Sequence, residues 1–211
     1  VGTLRGAVSS LSNLTHFEFH NANNDIIKEI CQYCHHVETL DVERSKEVTN
    51  AIVTFLLNLQ NLVNLNVYLT SISTYGYRII LAGLPNIVNI HWGPDTTSNL
   101  LIPIKREILS NKEIFRGSFR SSKILVDSCP NLKTINLLLE SKVDLTPLSQ
   151  LESLQVLKLS RIKYTEYKTN NIFINVGKIL NVLEFEFVND FFVLWYDFPI
   201  SYPNFSVCFT F

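Results

Sequence analysis

The stretch LQNLVNLNV, residues 59–67, is apolar at its first, fourth, seventh and ninth positions. The same spacing returns in CHHVETLDV (34–42), LPNIVNIHW (84–92) and CPNLKTINL (129–137). Apolar residues two apart at the end of each stretch have the period of a β-strand, and the earlier spacing of three indicates a turn leading into it. The pattern therefore predicts short strands, each entered through a turn, that recur along the chain.

Three of these strand stretches follow apolar residues with helical spacing. Ile26, Ile27, Ile30 and Cys31 correspond to Ala51, Ile52, Phe55 and Leu56 and to Gly76, Tyr77, Ile80 and Leu81, at steps of 25. A helix–strand unit of this length cannot bury its own apolar face and must stack on its neighbours, which makes a solenoid. Stacking is expected to put the strands into one parallel sheet and the helices on its other side.

The strand pattern extends in both directions from this threefold repeat. Its third position falls at Phe17, Leu40, Leu65, Ile90, Ile135, Leu157 and Phe185. The step of 45 from Ile90 to Ile135 is about two periods, so we expect a further strand near residues 113–117. Residues 93–106 (GPDTTSNLLIPIKR) interrupt the pattern and are predicted to be a loop insertion. The sequence thus predicts seven to eight irregular repeats within residues 1–188.

Several residues have the chemistry of helix boundaries. We expect Asp25 and Thr49 to cap the first two helices, because their side-chain oxygens can accept the unpaired N–H groups of a first turn. Ser118 or Ser121 is expected to open a short helix that ends before a proline. The unit at residues 144–151 contains a proline and is predicted to form a turn or short 3₁₀ segment.

The last 23 residues, 189–211, break the repeat and hold nine of the 24 aromatic residues of the chain. Two interpretations remain open. The segment is a C-terminal cap over the core of the last repeat, as solenoid ends require, or it is a tail that comes from a truncated or mis-joined sequence. Because the chain starts at Val1 and contains no Met, we expect it to be part of a longer protein.

Composition excludes several classes of partner. The formal charge of −1 and the pI of about 6.6 give no electrostatic reason to expect nucleic acid or an anionic membrane. No apolar run reaches the roughly 18 residues of a membrane span. Four scattered cysteines do not make a disulfide scaffold, which favours cytoplasm or nucleus. Two glycosylation-type triplets, at 13–15 and 204–206, indicate the opposite location.

The repeated phrases LVNLNV (62–67), CPNLKTINL (129–137) and LESLQVLKL (151–159) resemble leucine-rich repeats. The helical connections and periods in the mid-twenties are similar to the ribonuclease-inhibitor-like and cysteine-containing types that are frequent in F-box proteins. The resemblance implies an α/β leucine-rich-repeat solenoid, with a parallel sheet on the concave face and helices on the convex face. It also implies protein binding, as the substrate-recognition part of an F-box type ubiquitin ligase, with a Skp1-like adaptor bound through an upstream region.

Other settings remain open beside the F-box interpretation. A scaffold or an inhibitor outside the ubiquitin system fits the same repeats, and an extracellular receptor is a third alternative. The resemblance also implies an Asn or Cys three residues after each strand pattern, but these positions hold Ala22, Ser45, Thr70, Asp95, Glu140, Ile162 and Asp190. We therefore expect no asparagine ladder there. Ser45, Thr70 and Asp95 are expected to hydrogen-bond the turn, whereas Ala22 and Ile162 cannot.

Residues that alternate with the apolar strand positions are expected to face outward on the concave sheet. From these rows we predict a partner-binding face formed by Glu18, Asp41, Asn64, Asn66, Tyr68, Asn89, His91, Asn136, Leu138 and Lys158. Their mixture of charge, amide and aromatic groups, with an exposed leucine, is typical of a protein-binding surface.

Metal and catalytic chemistry are not expected. The motif CQYCHH, residues 31–36, has ligand types that zinc accepts, but its cysteines occupy apolar repeat positions and should lie in the core. His16, His20, Asp41 and Glu43 are expected to approach one another across two strands. No recognisable turn places a nucleophile beside them. The sequence therefore predicts no enzyme, no cofactor and no metal site.

Overall fold

The computed structural model describes residues 8, 10–91, 104, 106–118, 121–138, 143–162, 180–187 and 206–210. One sheet of nine strands, paired in chain order, runs through them. All eight neighbouring pairs are parallel. The strands are β1 (His16–Glu18), β2 (Thr39–Asp41), β3 (Asn64–Asn66), β4 (Asn89–His91), β5 (Ile114–Gly117), β6 (Thr134–Leu138), β7 (Val156–Ile162), β8 (Val182–Phe187) and β9 (Ser206–Thr210).

Helical segments lie between consecutive strands from β1 to β7, since two parallel strands can be joined only by a crossover. The α-helices are α1 (Asn24–Tyr33), α2 (Val53–Leu56), α3 (Thr74–Gly83), α4 (Arg106–Leu109) and α5 (Ser122–Ser128). Two 3₁₀ segments accompany them, Asn50–Ile52 before α2 and Thr146–Gln150 between β6 and β7. Helices α1, α2 and α3 pack side by side, so the described chain forms a helix layer against a parallel sheet.

The apolar positions of the repeat stand opposite one another in the sheet. Phe17, Leu40 and Leu65 pair across β1, β2 and β3. A strand lies at Ile114–Gly117, where the step of two periods predicts one, and its Phe115 pairs with Ile90. The apolar spacing therefore located both the strands of this region and their register.

The predicted register is wrong at β8. The repeat pattern put Phe185 opposite Leu157, but Leu157 pairs with Leu183. Apolar residues occur at every second position from Leu183 to Phe187, so a period of two fits equally well after a shift of two residues. Glu184 consequently stands beside Lys158 rather than beside Val156.

Strand β9 was not predicted. It lies in the aromatic C-terminal segment and pairs in parallel with β8, for example Leu183 with Val207. Residues 189–205 of that segment, and residues 93–103 of the predicted insertion, are outside the described part of the chain.

The core lies between the helices and the sheet. Its described side chains of less than 2 % exposure come from the helices, from the turns entering the strands and from the strands themselves, and include Ile30, Leu56, Leu81, Leu59, Leu62, Leu40 and Leu65. Each such side chain contributes on the order of 1.5–3 kcal/mol relative to its exposed state. As predicted, Cys31 and Cys34 are buried at two of these repeat positions, and His35 and His36 are exposed in the turn that follows.

Side chains cap some of the helix starts. Asn23, rather than the predicted Asp25, caps α1, and its Oδ1 accepts the Ile26 N–H at 3.0 Å. Thr49 caps the 3₁₀ segment before α2 as predicted, accepting the Ala51 N–H at 3.3 Å. Ser121 precedes α5 without making a side-chain capping bond.

An asparagine ladder runs through the turns that enter the strands. The sequence-based expectation that asparagine is missing concerned a different position, in the turns that leave the strands. Each asparagine donates a side-chain N–H to a carbonyl of the preceding repeat, and the donors are Asn61, Asn86, Asn111 and Asn131. Asn61 bonds His35 O at 3.1 Å and Asn111 bonds Pro85 O at 2.6 Å. The ladder ties successive repeats together at the strand entrance.

The turns that leave the strands are held differently. Ser45 Oγ accepts a hydrogen bond from the N–H of Ala22 at 2.9 Å and donates one to Phe19 O at 3.4 Å. The backbone N–H of Ala22 is therefore paired with a side chain of the next repeat. Thr70 Oγ1 donates to Val67 O at 2.8 Å. The hydrogen-bonding predictions for Ser45 and Thr70 are confirmed, with Ser45 bonding the turn of the preceding repeat, and Asp95 lies outside the described residues.

Candidate functional site

One file of polar side chains crosses eight neighbouring strands. Paired in register, its members are Glu18, Asp41, Asn66, His91, Arg116, Asn136, Lys158 and Glu184. We call this file the polar row. Side chains alternate across a strand, so it lies on the face opposite the core residues such as Leu40 and Leu65, which is the predicted concave face. Six members were predicted as binding residues, whereas Arg116 and Glu184 were not.

A second file begins two residues earlier on each strand. Asn89 donates a side-chain N–H to Asn64 Oδ1, and Asn64 donates to Thr39 Oγ1 at 3.3 Å. The structure thus joins the predicted residues Asn64 and Asn89 in one amide chain. The chain ends at β5, where the equivalent position holds Ile114, which has no polar side-chain group to continue it.

The centre of the polar row is a cluster of five side chains, which we call the Arg116 cluster. Asn66 Nδ2 donates to Asp41 Oδ2 at 2.8 Å and to Glu43 Oε2 at 3.1 Å. Arg116 Nη1 donates to the same Glu43 oxygen at 3.4 Å. The guanidinium of Arg116 also stands 5.2 Å from the centroid of the Tyr68 ring, a cation–π distance. Side chains from three repeats, those of β2, β3 and β5, are therefore held together.

The Arg116 cluster buries residues that were expected to be open to solvent. Asn66 and Tyr68 are 6 % exposed and Asn89 is 7 % exposed. For Asn66 and Tyr68 the reason is the reach of Arg116: β5 is three strands from β2, about 14 Å in a flat sheet, and the bridge to Glu43 crosses β3 and β4. Asn89 lies in the amide chain with Asn64. The predicted open position of these three residues is therefore wrong. Leu138, predicted to be exposed, is partly buried.

His91 sits beneath this bridge with an unusual environment. Burial lowers the pKa of its imidazole and the Arg116 charge lowers it further, although Asp41 and Glu43 act in the opposite direction. Its backbone N–H donates to the hydroxyl of Tyr77, on α3, at 3.1 Å. Its Nδ1 atom is buried and bonds to none of the described residues. The lowered pKa keeps this imidazole neutral near physiological pH.

The two ends of the polar row are more open. At β1, His20 Nε2 is 3.1 Å from Glu18 Oε1, and His20 Nδ1 is 3.2 Å from the Glu43 carbonyl oxygen. That carbonyl is the main cause of the raised pKa of His20. At the other end Lys158 Nζ lies 2.6 Å from Glu184 Oε2. Charged groups that a partner can reach thus flank the buried centre.

Metal-binding and nucleophilic chemistry find little support in the described residues. They hold no group of three or more His, Cys, Asp or Glu side chains arranged to bind a metal ion. Burial raises the pKa of Cys31 to about 12, and the Cys34 thiol donates to Leu11 O at 3.4 Å. Thiols of this kind are poor nucleophiles at neutral pH. Within the same residues, no helix combines the length and apolar character needed to cross a bilayer.

Solved structures share this architecture. An internalin C2 from Listeria monocytogenes superimposes with a TM-score of 0.55 and 17 % identity, over 96 % of this chain and 84 % of that protein. An internalin, inlF, from the same organism gives a TM-score of 0.53 and 16 % identity, over 89 % of this chain and 62 % of that protein. No family model and no curated protein sequence matches the chain. The chain therefore has an α/β fold of the leucine-rich-repeat type.

Proposed function

We propose that this chain is a protein–protein interaction module that binds its partner through the polar row. The observation that carries the proposal is the row itself. Eight neighbouring strands each place one polar or charged side chain at the same height on the face of the sheet that the helices leave uncovered. Such a surface is long enough to contact many residues of another protein and too open to exclude water from a reaction.

The Arg116 cluster supports the same function. Arginine and tyrosine are enriched among the residues that carry most of the binding energy in protein interfaces. Here Arg116 is held by Glu43 and by the Tyr68 ring before any partner arrives. A side chain that is already ordered loses less conformational entropy on binding, so the cluster favours tight association.

The biological setting is a finer proposal. The resemblance of the repeats to those of F-box proteins supports a role as the substrate-recognition part of a ubiquitin ligase in cytoplasm or nucleus, with a Skp1-like adaptor bound elsewhere on the protein. A scaffold or inhibitor outside the ubiquitin system is the alternative. Expression of the protein with its upstream region and co-purification of the adaptor test this setting. A complete protein that binds no such adaptor would favour the alternative.

The binding face is tested with charge-reversal variants that form matched pairs. Glu18→Lys and Lys158→Glu alter the polar row, and Asp127→Lys and Lys123→Glu alter the exposed surface of α5. Asp127 and Lys123 are paired at 3.5 Å on the helix side, as Lys158 and Glu184 are paired on the sheet side. Each tagged variant is used to capture partners from a cell extract, with quantitative mass spectrometry as the readout and the circular dichroism melting temperature as the folding check.

We expect at least one partner to be retained by the α5 variants and lost by both polar-row variants. Because these side chains are partly exposed, charge reversal should act mainly on association and not on folding. Partners that persist on the polar-row variants and disappear from the α5 variants would place the binding face on the helices and contradict the proposal.

A further inference from the structure

The hydrogen-bonding groups of the Arg116 cluster are unevenly used. A guanidinium offers five N–H donors, and of these Arg116 gives one to Glu43 at 3.4 Å, longer than a usual charge-assisted bond. The two carboxylates accept further hydrogen bonds. Glu43 also accepts one from Asn66 Nδ2 at 3.1 Å, and Asp41 accepts one from Asn66 Nδ2 at 2.8 Å and one from the Glu43 N–H at 2.9 Å. The cluster therefore has spare donors at Arg116.

Unpaired acceptors surround this arginine. The buried side-chain oxygens of Asn89 and Asn136, and the buried Nδ1 of His91, bond to none of the described residues. For Asn89 the cause is the end of the amide chain at Ile114, and its side chain is 93 % buried, being 7 % exposed. His91 and Asn136 are the two neighbours of Arg116 in the polar row. A spare cationic donor is thus bordered on both sides by acceptors that lack a donor.

Acidic residues lie at both ends of the polar row and basic residues lie between them, and Glu184 on β8 pairs with Lys158 at 2.6 Å. Glu18 and Asp41 stand on β1 and β2, whereas the row from β4 to β7 holds Arg116 and Lys158 as its charged residues. Arg116 and Lys158 are two strands apart, about 10 Å. Their side chains are 35 % and 39 % exposed, against 13 % for Glu43. The exposed charge between β4 and β7 is therefore positive.

We propose that the partner docks an acidic, extended polypeptide segment on β4 to β7; this inference rests on the proposed function. One carboxylate of the segment binds the N–H donors of Arg116 that Glu43 does not use. The main-chain N–H groups of the segment donate to the unpaired acceptors of His91 and Asn136 on either side of Arg116, and these side chains turn outward as the segment docks. A second carboxylate two residues along the extended chain lies on the same face of the segment, about 7 Å from the first, and competes with Glu184 for Lys158.

An acidic extended segment carries both kinds of group that this surface lacks. Its carboxylates can accept hydrogen bonds from Arg116, and its main-chain amides can donate to the unpaired acceptors of His91 and Asn136. A basic segment would instead leave Arg116 facing a like charge, and its favourable position would be the β1–β2 end of the row. The position of binding along the sheet and the charge of the ligand are therefore linked.

The test uses a phage-displayed library of random linear peptides of about twelve residues, which span about 40 Å when extended. The library is selected on the purified 211-residue chain, and enriched peptides are then synthesised and measured by fluorescence anisotropy. The variants are Arg116→Gln, Arg116→Lys, Lys158→Gln and Glu18→Lys, with Lys123→Gln on α5 as the matched control. Melting temperatures establish that each variant folds.

We expect enrichment of Asp and Glu, and a loss of affinity of about tenfold or more with Arg116→Gln, as for a charge-assisted hydrogen bond. Arg116→Lys should recover part of the loss, Lys158→Gln should weaken binding less, and Lys123→Gln should have no effect. Enriched peptides without acidic residues, an unaffected Arg116→Gln variant, or no enrichment at all would overturn the inference.

The same experiment separates the two proposals. Peptides that depend on Glu18 but not on Arg116 would refute the acidic-segment inference and support binding by the polar row. Peptides that are insensitive to every polar-row variant would refute both.

Discussion

Lys112 is a lysine in a place where the repeat requires an apolar residue. It follows Leu109 by three residues and precedes Phe115 by three, the position that Leu62 and Leu132 occupy in other repeats. Its side chain is fully buried, and Nζ donates to the carbonyl of Ile87. Burial lowers the pKa of this lysine to about 8. We predict that Lys112→Leu stabilises the protein near neutral pH.

The magnitude follows from the pKa. A depression from 10.5 to about 8 corresponds to about 3 kcal/mol of destabilisation of the charged form in the folded state. Leucine removes that cost. It also removes the hydrogen-bond donor to the Ile87 carbonyl, and leaving this carbonyl unpaired destabilises the variant by about 1–2 kcal/mol. The net gain is about 1–2 kcal/mol, or about 2–8 °C in melting temperature for a chain of this size.

The sign of the pH dependence is also defined. Below about pH 8 the lysine is protonated in both states, so the full cost is present. Between that pH and the ordinary pKa of 10.5 the folded state releases its proton first, and the unfolding free energy of the natural protein rises. The stability difference between Lys112→Leu and the natural protein should therefore shrink as pH rises through this window.

Urea unfolding followed by circular dichroism, at several values between about pH 7 and about pH 10, measures this difference. Thiols of the unfolded chain titrate in the same range in both proteins. Because the Lys112 charge acts on the pKa of Cys129, both proteins carry Cys129→Ala so that the difference isolates Lys112. Lys123→Leu is the control, because Lys123 is exposed on α5. A Lys112→Leu protein that is less stable near pH 7, or a difference that stays constant with pH, would refute the reasoning.

Three further substitutions test the turns and the helix packing by the same unfolding assay. Leu69 has a φ of 57°, so Leu69→Asn should stabilise by about 0.5–1 kcal/mol, whereas a loss would contradict left-handed strain. Asn61→Ala should destabilise by about 1 kcal/mol, and unchanged stability would show that the hydrogen bonds of the asparagine ladder do not stabilise the fold. Gly76→Ala should destabilise by about 1–3 kcal/mol despite higher helix propensity, because its Cβ would lie 2.4 Å from Asn50 Oδ1; a gain would show that Asn50 moves freely.

The strands were predictable because burial imposes the same apolar spacing on every repeat. Leu62 and Leu65 could be placed in the core without a structure, and the strand at Ile114–Gly117 could be placed by counting periods. The failure at β8 has the same origin. Where apolar residues alternate without interruption, as from Leu183 to Phe187, the period is satisfied in two registers and only strand pairing decides between them.

The site was predictable only in part. Alternation placed Asp41 and Asn66 on the correct face, because it depends on neighbouring residues alone. It could not show that Arg116, on β5, reaches Glu43 beyond β2 and covers Tyr68. That contact joins residues 73 positions apart, and its consequence is burial of the centre of the surface. The asparagine ladder, in contrast, was visible as the Asn before each second apolar position from residue 61 to residue 131.

The central claim is that the polar row is the binding face, and hydroxyl-radical footprinting of the chain with a captured partner tests it most directly. The account predicts reduced oxidation of His16, His20 and Leu138 on the sheet face in the complex. Tyr75, which is 69 % exposed on α3, should be oxidised equally with and without the partner. Protection of Tyr75 with unchanged oxidation of the sheet residues would contradict the account.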